Sequence, residues 1–330
     1  MKISIHIEPQ LGYTYSDIVT LAKAAEDLGF YGFTVSDHFF GPVEGHEMCS
    51  HEAWTTLALL VPQTERIRLG TLVTSQAYRN PALLAKIVAG LDNASHGRID
   101  LGIGAGWKES EYNAYGYPFP SARVRVTQLR EALQIINLLW TAERPSFDGS
   151  FYTVKETMFL PKPVQKPRVP IWVGSRRLKA PMMEETAARY ADGVDLDCEG
   201  ATVKDFVAKK DRVQRMCEKV GRDFEELRWS VSKTAGVIGE DPGDFEARLQ
   251  EITEQTWIWI AHAPQSVKHK YLETLSAKEI GGTLPAVIEK LSEFRDHVDI
   301  MNVCLPYFGD LRKNGLETLQ ILKERILAVL

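Results

Sequence analysis

The sequence predicts a single (β/α)8 TIM barrel. Eight short runs rich in β-branched residues alternate with longer segments whose apolar residues recur at helical spacing, which is the order of a closed parallel sheet. The length of 330 residues suits one barrel with insertions. An open doubly wound sheet is the main competitor, but it favours a glycine fingerprint after the first strand, where this chain has Glu8-Pro9-Gln10.

The predicted strands and helices follow one another along the chain as the barrel requires. The first strand covers residues 3–7, and the helix after it begins at Ser16 and is ended by Gly29. Pro81 is predicted to be the first residue of the third helix. The remaining strands are predicted at 31–35, 66–73, 98–103, 169–173, 193–196, 229–237 and 299–305, with further helices at 54–61, 81–91, 123–140 and 316–330.

Two segments, residues 147–168 and 240–282, fit the repeat poorly and are predicted to be insertions at the C-terminal mouth of this one domain, residues 1–330. The first is rich in proline and lysine, contains a small hairpin turned at Asp148-Gly149, and is expected to cross the mouth. The second carries the apolar run Trp257-Ile258-Trp259-Ile260. Such a patch is either part of a substrate lid or a subunit contact.

Composition and charge argue against several classes of protein. The net charge of −5 gives no general attraction to nucleic acid or to an anionic membrane. No apolar run approaches the ~20 residues of a membrane span, and the N-terminus has no signal region. Four scattered cysteines, Cys49, Cys198, Cys217 and Cys304, predict reduced thiols. We therefore expect a cytoplasmic protein with a small-molecule substrate and with no nucleic-acid or membrane partner.

Asp37-His38 follows a predicted strand and is therefore placed at the mouth, where polar residues of barrels project into the site. Histidine side chains titrate near physiological pH and can move a proton. A neighbouring carboxylate can hold the histidine tautomer or bind the edge of a cofactor. The structural alternative is a capping aspartate beside a surface histidine. The two residues alone do not decide between a functional and a structural role.

Three further strand ends carry residues suited to a cofactor. Leu72-Val73-Thr74-Ser75 ends the third strand with small polar groups that can contact a planar ring. Gly104-Ala105-Gly106 and Gly174-Ser175-Arg176 follow the fourth and fifth strands and leave backbone N–H groups for an anion. The second also adds a hydroxyl and a guanidinium suited to phosphate. Tight turns also need glycine, but two such turns on neighbouring strands predict one long phosphorylated cofactor.

A metal site was considered at Glu44, His46, Glu47 and His51, which lie close together after the second strand. The His-x4-His spacing puts both histidines on one helix face only approximately, and no third ligand is evident. We therefore expect a polar loop and a helix start, without a metal. Sequence signatures of serine hydrolases, P-loop NTPases and cysteine nucleophiles are not found.

Several longer motifs resemble the luciferase-like monooxygenase superfamily and, more narrowly, its coenzyme F420-dependent oxidoreductase branch. The motifs occur in collinear order over nearly the whole chain: Ser36-Asp37-His38-Phe39, Leu69-Gly70-Thr71-Leu72-Val73-Thr74, Tyr78-Arg79-Asn80-Pro81-Ala82, Gly97-Arg98-Ile99-Asp100-Leu101-Gly102-Ile103-Gly104-Ala105-Gly106-Trp107, Glu111-Tyr112, Pro170-Ile171-Trp172-Val173-Gly174 and Ala187-Ala188-Arg189-Tyr190-Ala191-Asp192-Gly193. A collinear match of this extent indicates common descent.

The resemblance implies a barrel of the bacterial-luciferase type with a deazaflavin in its mouth. By position, Asp37 would contact the deazaflavin and His38 would be the active-site acid or base. A bulge with a cis peptide bond between Leu72 and Val73 would support the ring from behind, and Thr74 would also contact the cofactor. The residues that would bind its phosphorylated tail are Gly104, Ala105, Gly106 and Trp107, together with Gly174, Ser175 and Arg176.

The chain departs from the family pattern in two places, one of which is the turn Gly174-Ser175-Arg176-Arg177, where members usually have more glycines. Several members carry an acidic residue where this chain has Trp107, and Glu109 is a carboxylate that could take its place. The resulting hypothesis is an F420-dependent oxidoreductase that transfers hydride between the deazaflavin and a small organic substrate, with His38 handling the coupled proton, in a homodimer. An FMN-dependent luciferase-like monooxygenase is the alternative, and a non-catalytic flavin-binding protein is the alternative of another class.

Overall fold

The computed structural model describes residues 1–41, 50–197, 200–255, 263–306 and 310–329. Eight parallel strands form a closed barrel in sequence order, because the first strand pairs with the eighth as well as with the second. We number them β1 to β8: Lys2–Ile7, Gly32–Val35, Arg68–Thr71, Ile99–Gly104, Ile171–Ser175, Gly193–Asp197, Arg228–Gly239 and Ile300–Cys304. The predicted fold class is confirmed, and each strand overlaps its predicted position.

The helices surround the barrel and begin where local sequence signals favour it. Thr14 and Asp17 form a reciprocal capping box before the first helix, and Gly29 follows that helix with a φ of 78°. Pro81 is the first residue of the third helix, as predicted. In chain order, the helices α1 to α11 are Tyr15–Asp27, Ala53–Leu60, Pro81–Ala94, Glu109–Ala114, Ala122–Thr141, Pro181–Tyr190, Val203–Val220, Pro242–Glu254, Gln265–Lys278, Leu284–Phe294 and Leu311–Ile321.

Alternation along β1 separates an apolar outer layer from a polar interior. Ile3, Ile5 and Ile7 are buried in the hydrophobic core that the strands share with the outer helices. The residues between them, Ser4 and His6, line cavities inside the barrel. Polar side chains are therefore available along the barrel axis, where a site at the mouth can use them.

The first insertion, residues 147–168, does not cross the mouth, contrary to the prediction. It connects α5 to β5, so its last residues lead to the amino ends of the barrel strands, opposite the active-site face. Its hairpin touches the other end at one point, where the Tyr152 hydroxyl donates to Gln76 Oε1 at 2.9 Å. Phe147–Asp148 and Thr153–Val154 form the predicted hairpin. Farther along, the Asp92 carboxylate of α3 accepts hydrogen bonds from the backbone N–H groups of Val164 (2.8 Å) and Gln165 (3.1 Å). All residues of this segment are described, and none lines the mouth.

The second insertion reaches the mouth, as predicted. β7 continues beyond the barrel, and its end pairs in parallel with a short strand, Ile280–Thr283, after a register shift between Ala235 and Ile238. α8 and α9 lie between the two strands in sequence, and Tyr271 and Leu275 of α9 line the cavity at the mouth. The predicted lid or contact segment Trp257–Ile260 lies outside the described residues.

Two of the four cysteines can be assessed. Cys217 and Cys304 are buried free thiols, whereas Cys49 and Cys198 lie outside the described residues. In the described ranges, the helices are too short or too polar to span a bilayer.

Candidate active site

A cavity of about 530 Å³ opens at the carboxyl ends of the barrel strands. Barrel enzymes place their active sites at this end, and pockets of roughly 300–1,000 Å³ hold cofactor-sized or drug-sized ligands. All twelve residues that the sequence predicts for the site line this cavity: Asp37, His38, Leu72, Val73, Thr74, Gly104, Ala105, Gly106, Trp107, Gly174, Ser175 and Arg176. The structure therefore brings the predicted residues together, and their individual roles stay predictions.

His38 is held by a buried carboxylate that the sequence analysis did not select. The Nδ1 atom of His38 lies 2.8 Å from Oε2 of Glu111, a residue of α4 whose side chain is fully buried. Tyr78 donates its hydroxyl hydrogen to the same oxygen (2.7 Å), and Lys108 Nζ donates to Oε1 (3.0 Å). A carboxylate at this distance requires the hydrogen of the histidine ring to be on Nδ1, which leaves Nε2 as the ring atom available to a ligand.

Glu111 stays ionised because the hydrogen bonds that it accepts lower its pKa by more than burial raises it. Burial alone would raise the pKa of Glu111, but hydrogen bonds from His38, Tyr78 and Lys108 lower it to about 2. The same contacts act on the phenol in the other direction: burial and the neighbouring carboxylate raise the pKa of Tyr78 well above its usual value. The four side chains therefore form one network with a fixed negative charge behind His38.

Glu109, the carboxylate expected to replace the acidic residue of other family members, is not part of this network. Glu109 is exposed on the first turn of α4 and does not line the cavity, whereas Glu111 and Tyr112 face inward. Residues two apart on a helix point in widely different directions, so only one of the two glutamates can face the barrel. Helical periodicity would have indicated which positions of α4 face the barrel.

The Asp37 carboxylate is occupied by groups of the protein. It accepts hydrogen bonds from both terminal nitrogens of Arg79, at 2.6 and 3.0 Å, and a further hydrogen bond from the hydroxyl of Thr74. Arg79 also pairs with Glu52, which caps α2. Asp37 thus ties the ends of β2 and β3 to α2, and its predicted contact with the deazaflavin would have to coexist with these bonds.

The third strand ends in the bulge that the resemblance implies. The peptide bond between Leu72 and Val73 is cis, and β3 stops before it. The Val73 side chain then packs against two glycines of neighbouring strands. A Cβ atom at Gly174 would lie 2.8 Å from Val73 Cγ1, and one at Gly104 would lie 3.0 Å from Val73 Cγ2. These two glycines therefore make room for Val73 in the wall of the cavity.

A separate steric constraint requires glycine at position 106. Its φ is 79°, and a Cβ there would lie 1.8 Å from the hydroxyl oxygen of Tyr112. That hydroxyl lies 2.6 Å from Ser75 Oγ at the end of the bulge. Packing thus explains Gly104 and Gly174, which lie within β4 and β5 and not in turns after them as predicted, whereas Gly106 has the positive φ of a turn. Anion binding at these strand ends stays a prediction.

Trp107 and Arg176 close one side of the mouth. The Trp107 ring meets the His38 ring edge-on at 5.7 Å between centroids, and the Arg176 guanidinium lies 4.9 Å above the indole. Arg176 also pairs with Asp197 at 3.4 Å, so it bridges the ends of β5 and β6. The proposed phosphate would have to share or replace this partner.

Several polar residues of the cavity were not predicted from the sequence. They are Glu8, Asp195, Asp197, Ser232 and Glu279. The strand-end rule would have found Glu8 after the first strand and Asp197 at the end of the sixth, whereas Asp195 and Ser232 lie within β6 and β7. Glu279 follows a helix of the second insertion. Reasoning from the ends of strands does not predict where that helix lies.

Two groups deep in the cavity have pKa values shifted by burial. Burial raises the pKa of Asp195 to about 6, although Ser230, Ser232 and Asn302 all donate hydrogen bonds to it. Burial also lowers the pKa of His6 to about 4, so His6 is neutral at physiological pH. His6 therefore adds no positive charge at the floor of the cavity and does not balance the charge of the acidic groups above it.

The possible metal cluster cannot be described in full, because Glu44, His46 and Glu47 lie outside the described residues. In the ranges that are described, three His, Cys, Asp or Glu side chains do not come together as a metal site would require.

Comparison with known proteins identifies the family. Residues 1–285 match the model of the luciferase-like monooxygenase family, and the chain belongs to that family. Its similarity to named relatives further assigns it to the F420-dependent oxidoreductase branch. The F420-dependent glucose-6-phosphate dehydrogenase of Kribbella flavida is 33% identical over 272 residues, which cover 82% of this chain and 77% of the relative.

Two further comparisons bear on the extent of the match. An uncharacterised protein of Mycobacterium tuberculosis is 35% identical over 187 residues, which cover 52% of this chain and 64% of that protein. Among solved structures, an F420-dependent secondary alcohol dehydrogenase in complex with an F420–acetone adduct has a TM-score of 0.79 at 18% identity, over 100% of this chain and 99% of that one. At this identity the structural likeness supports the fold alone.

Proposed function

We propose that the chain is an F420-dependent oxidoreductase that transfers hydride between the deazaflavin and a small organic substrate. The observation that carries the proposal is a histidine at the barrel mouth whose Nδ1 is bound by an ionised, buried Glu111, in a cavity large enough for a cofactor. The names of the relatives support F420 as the cofactor, and the same family contains flavin-dependent members.

The residues around the cavity fit a deazaflavin. The Val73 bulge forms an apolar wall beside Gly104 and Gly174, where any side chain at the glycines would protrude. Ser175, Arg176 and Arg177 line the cavity and would be the residues to hold a phosphorylated tail, with the Ser175 hydroxyl exchanging its present acceptor, the Arg177 carbonyl oxygen, for the phosphate. When bound, F420 supplies the hydride chemistry, and the protein supplies binding and orientation.

His38 is the group proposed to move the proton that accompanies hydride transfer. Glu111 fixes the ring so that Nε2 is the atom that exchanges the proton with the substrate oxygen. The aromatic and guanidinium groups of Trp107 and Arg176 flank the mouth next to His38, where bound cofactor and substrate would displace water. Orientation and exclusion of water are the contributions expected from the protein in hydride transfer.

A parallel titration of the purified protein with F420 and with FMN tests the cofactor assignment. Tight binding of F420 and weak binding of FMN are expected, followed by fluorescence or absorbance. Tight binding of FMN with no affinity for F420 would overturn the assignment.

The role of His38 is tested separately. His38→Ala should bind F420 with unchanged affinity and should turn over substrate much more slowly, because a general acid or base contributes roughly 10²- to 10⁴-fold. Unchanged turnover would remove His38 from the mechanism, whereas a wild type that binds the cofactor and shows no turnover would favour a non-catalytic flavin-binding protein.

The family description favours one second candidate, an FMN-dependent monooxygenase. Such an enzyme consumes oxygen together with reduced flavin, whereas a deazaflavin reacts poorly with oxygen. Oxygen uptake coupled to oxidation of added reduced FMN would select the monooxygenase. Cofactor reduction by an organic substrate under anaerobic conditions selects the oxidoreductase.

A further inference from the structure

A buried lysine contacts the segment that follows β5. Lys209 of α7 is 1% exposed and does not line the cavity. Its Nζ donates a hydrogen bond to Ser175 Oγ at 3.3 Å and another to the carbonyl oxygen of Arg177 at 3.2 Å. Ser175 and Arg177 do line the cavity, and both belong to the segment proposed to hold a phosphorylated tail. Lys209 therefore acts on that segment while remaining outside the cavity lining.

The charge of Lys209 is compensated inside the protein. Burying an ammonium group costs free energy unless it is paired and hydrogen-bonded. Oε1 of Glu184, a buried residue of α6, lies 3.3 Å from Lys209 Nζ and also accepts a hydrogen bond from Arg212 Nε at 2.9 Å. Burial alone would raise the pKa of Glu184, but the hydrogen bond from Arg212 and the charge of Lys209 lower it on balance. The carboxylate is therefore ionised, and the pair is a true ion pair.

The hydrogen bonds of Ser175 indicate how Lys209 bears on a ligand. The Ser175 hydroxyl donates to the carbonyl oxygen of Arg177 at 3.2 Å, which is the carbonyl that also accepts from Lys209. A phosphate in the cavity would take the hydrogen of Ser175 away from this carbonyl. The carbonyl would still be bonded to Lys209, so the exchange leaves no acceptor unpaired and costs little.

The same lysine also strengthens the hydroxyl as a donor. Ser175 Oγ accepts from the Lys209 ammonium, and a hydroxyl that accepts a hydrogen bond becomes a better donor in its turn. The ammonium further stabilises a negative charge held by Ser175, because the site between them is partly desolvated. An ion pair that served only to join α6 to α7 would need neither of these contacts with the end of β5.

We propose that Lys209 is a positioning residue for the phosphorylated tail of the cofactor, acting through the Ser175 hydroxyl and the Arg177 carbonyl. The inference rests on the proposed function, because F420 is the cofactor that would bring this tail. It gives a role in binding to a charge that lies on a helix behind the sheet, 34 residues from Ser175 in the sequence.

Pairs of cofactors that differ in the tail test the proposal. F420 is compared with 8-hydroxy-5-deazariboflavin, which has the same ring and no phosphorylated tail, and FMN is compared with riboflavin. Fluorescence titration gives the affinities of the wild type and of Lys209→Met, which keeps the length of the side chain and removes its charge. Lys209→Met should lose about tenfold or more in affinity for the phosphorylated member, as expected for a hydrogen bond to a charged group. The member without phosphate should bind as tightly as to the wild type.

Three further variants separate positioning from stability. Ser175→Ala removes the hydroxyl through which Lys209 acts, so Lys209→Met should cost clearly less affinity for F420 in that background than in the wild type. The double variant of Lys209→Met with Glu184→Gln removes both charges of the buried pair and should show the same selective loss, even if Lys209→Met alone does not fold. The matched control is Lys219→Met, which changes an exposed lysine in the last turn of the same helix and should keep all affinities.

Three outcomes would overturn the proposal and leave the proposed function standing: equal losses for both members of a pair, unchanged affinities, or an undiminished effect of Lys209→Met in the Ser175→Ala background. A wild type that binds FMN and not F420 contradicts the proposed function alone, because FMN and riboflavin then measure the same selectivity. Binding of neither phosphorylated cofactor to the wild type would overturn both.

Discussion

Replacing Glu111 by glutamine tests how the buried carboxylate supports His38. The substitution keeps the size of the side chain and removes its charge. In the wild type, Oε2 accepts from His38 and Tyr78, and Oε1 accepts from Lys108. Glutamine offers one acceptor oxygen, and its amide group donates. One of the two sets of donors therefore loses its acceptor, whichever way the amide is turned.

The size of the effect on stability follows from the pKa of Glu111. The difference between its ordinary value of 4.5 and about 2, at about 1.4 kcal/mol for each pH unit, corresponds to about 3 kcal/mol of folding free energy. Because the folded-state pKa lies below the unfolded-state value, this contribution is complete above pH 5 or so and is lost as the pH falls from 4.5 towards 2. Glu111→Gln should thus lower the free energy of unfolding by about 3 kcal/mol at pH 7 and by much less near pH 2.

The effect on catalysis follows from the hydrogen bond to His38. A hydrogen bond to a charged group is worth about 1.5–3 kcal/mol, which is about 10- to 150-fold in rate if it acts in the transition state. Turnover should fall by this factor, while the affinity for F420 stays unchanged. Urea unfolding at both pH values, steady-state rates and an F420 titration measure the three quantities.

The matched control is Glu109→Gln, which changes an exposed glutamate two residues earlier on the same helix. It should leave stability and turnover as in the wild type. The reasoning is refuted if Glu111→Gln unfolds with the same free energy as the wild type at pH 7, or if its turnover is within twofold of the wild-type rate.

Three further predictions concern the cavity wall, its floor and the assembly. Gly174→Ala would place a Cβ 2.8 Å from Val73, so urea unfolding should show a loss of about 1–3 kcal/mol and titration a weaker affinity for F420. The folded-state pKa of Asp195, about 6, lies above its ordinary 3.8, so wild-type stability relative to Asp195→Asn should fall by about 3 kcal/mol as the pH rises from about 4 through 6. Light scattering should give twice the chain mass of 37.1 kDa if the proposed homodimer forms.

The barrel and the cavity residues contributed by β2 to β5 were predictable because their signals are local. Each strand is a short apolar run, and the residues just after it are fixed at the mouth by the closed sheet. The pair Asp37-His38 and the glycines at the ends of β4 and β5 could therefore be assigned to one cavity from the sequence. Two of those glycines are needed because Val73 packs against them. This packing depends on contacts between strands.

A functional residue that the sequence did not predict lies far from its partner in the sequence. Glu111 is 73 residues from His38 and reaches it from a helix, so a search limited to strand ends passes over it. The path of residues 147–168 was misjudged for a different reason. Proline and lysine content marks an irregular segment but does not tell which end of the barrel it occupies, whereas its position between a helix and the next strand does.

The two sides of the mouth differ in how tightly they are packed, and this difference bears on how substrate specificity could change. On the side of β3, β4 and β5, Val73 fills the space that side chains at Gly104 and Gly174 would need. On the other side, β6, β7, β8 and β1 present polar side chains on strands whose backbone is already fixed by the sheet. Random substitution should therefore be tolerated unequally around the ring. Directed evolution confined to β6, β7, β8 and β1 would explore new substrates in variants that keep the packed wall proposed to bind the cofactor.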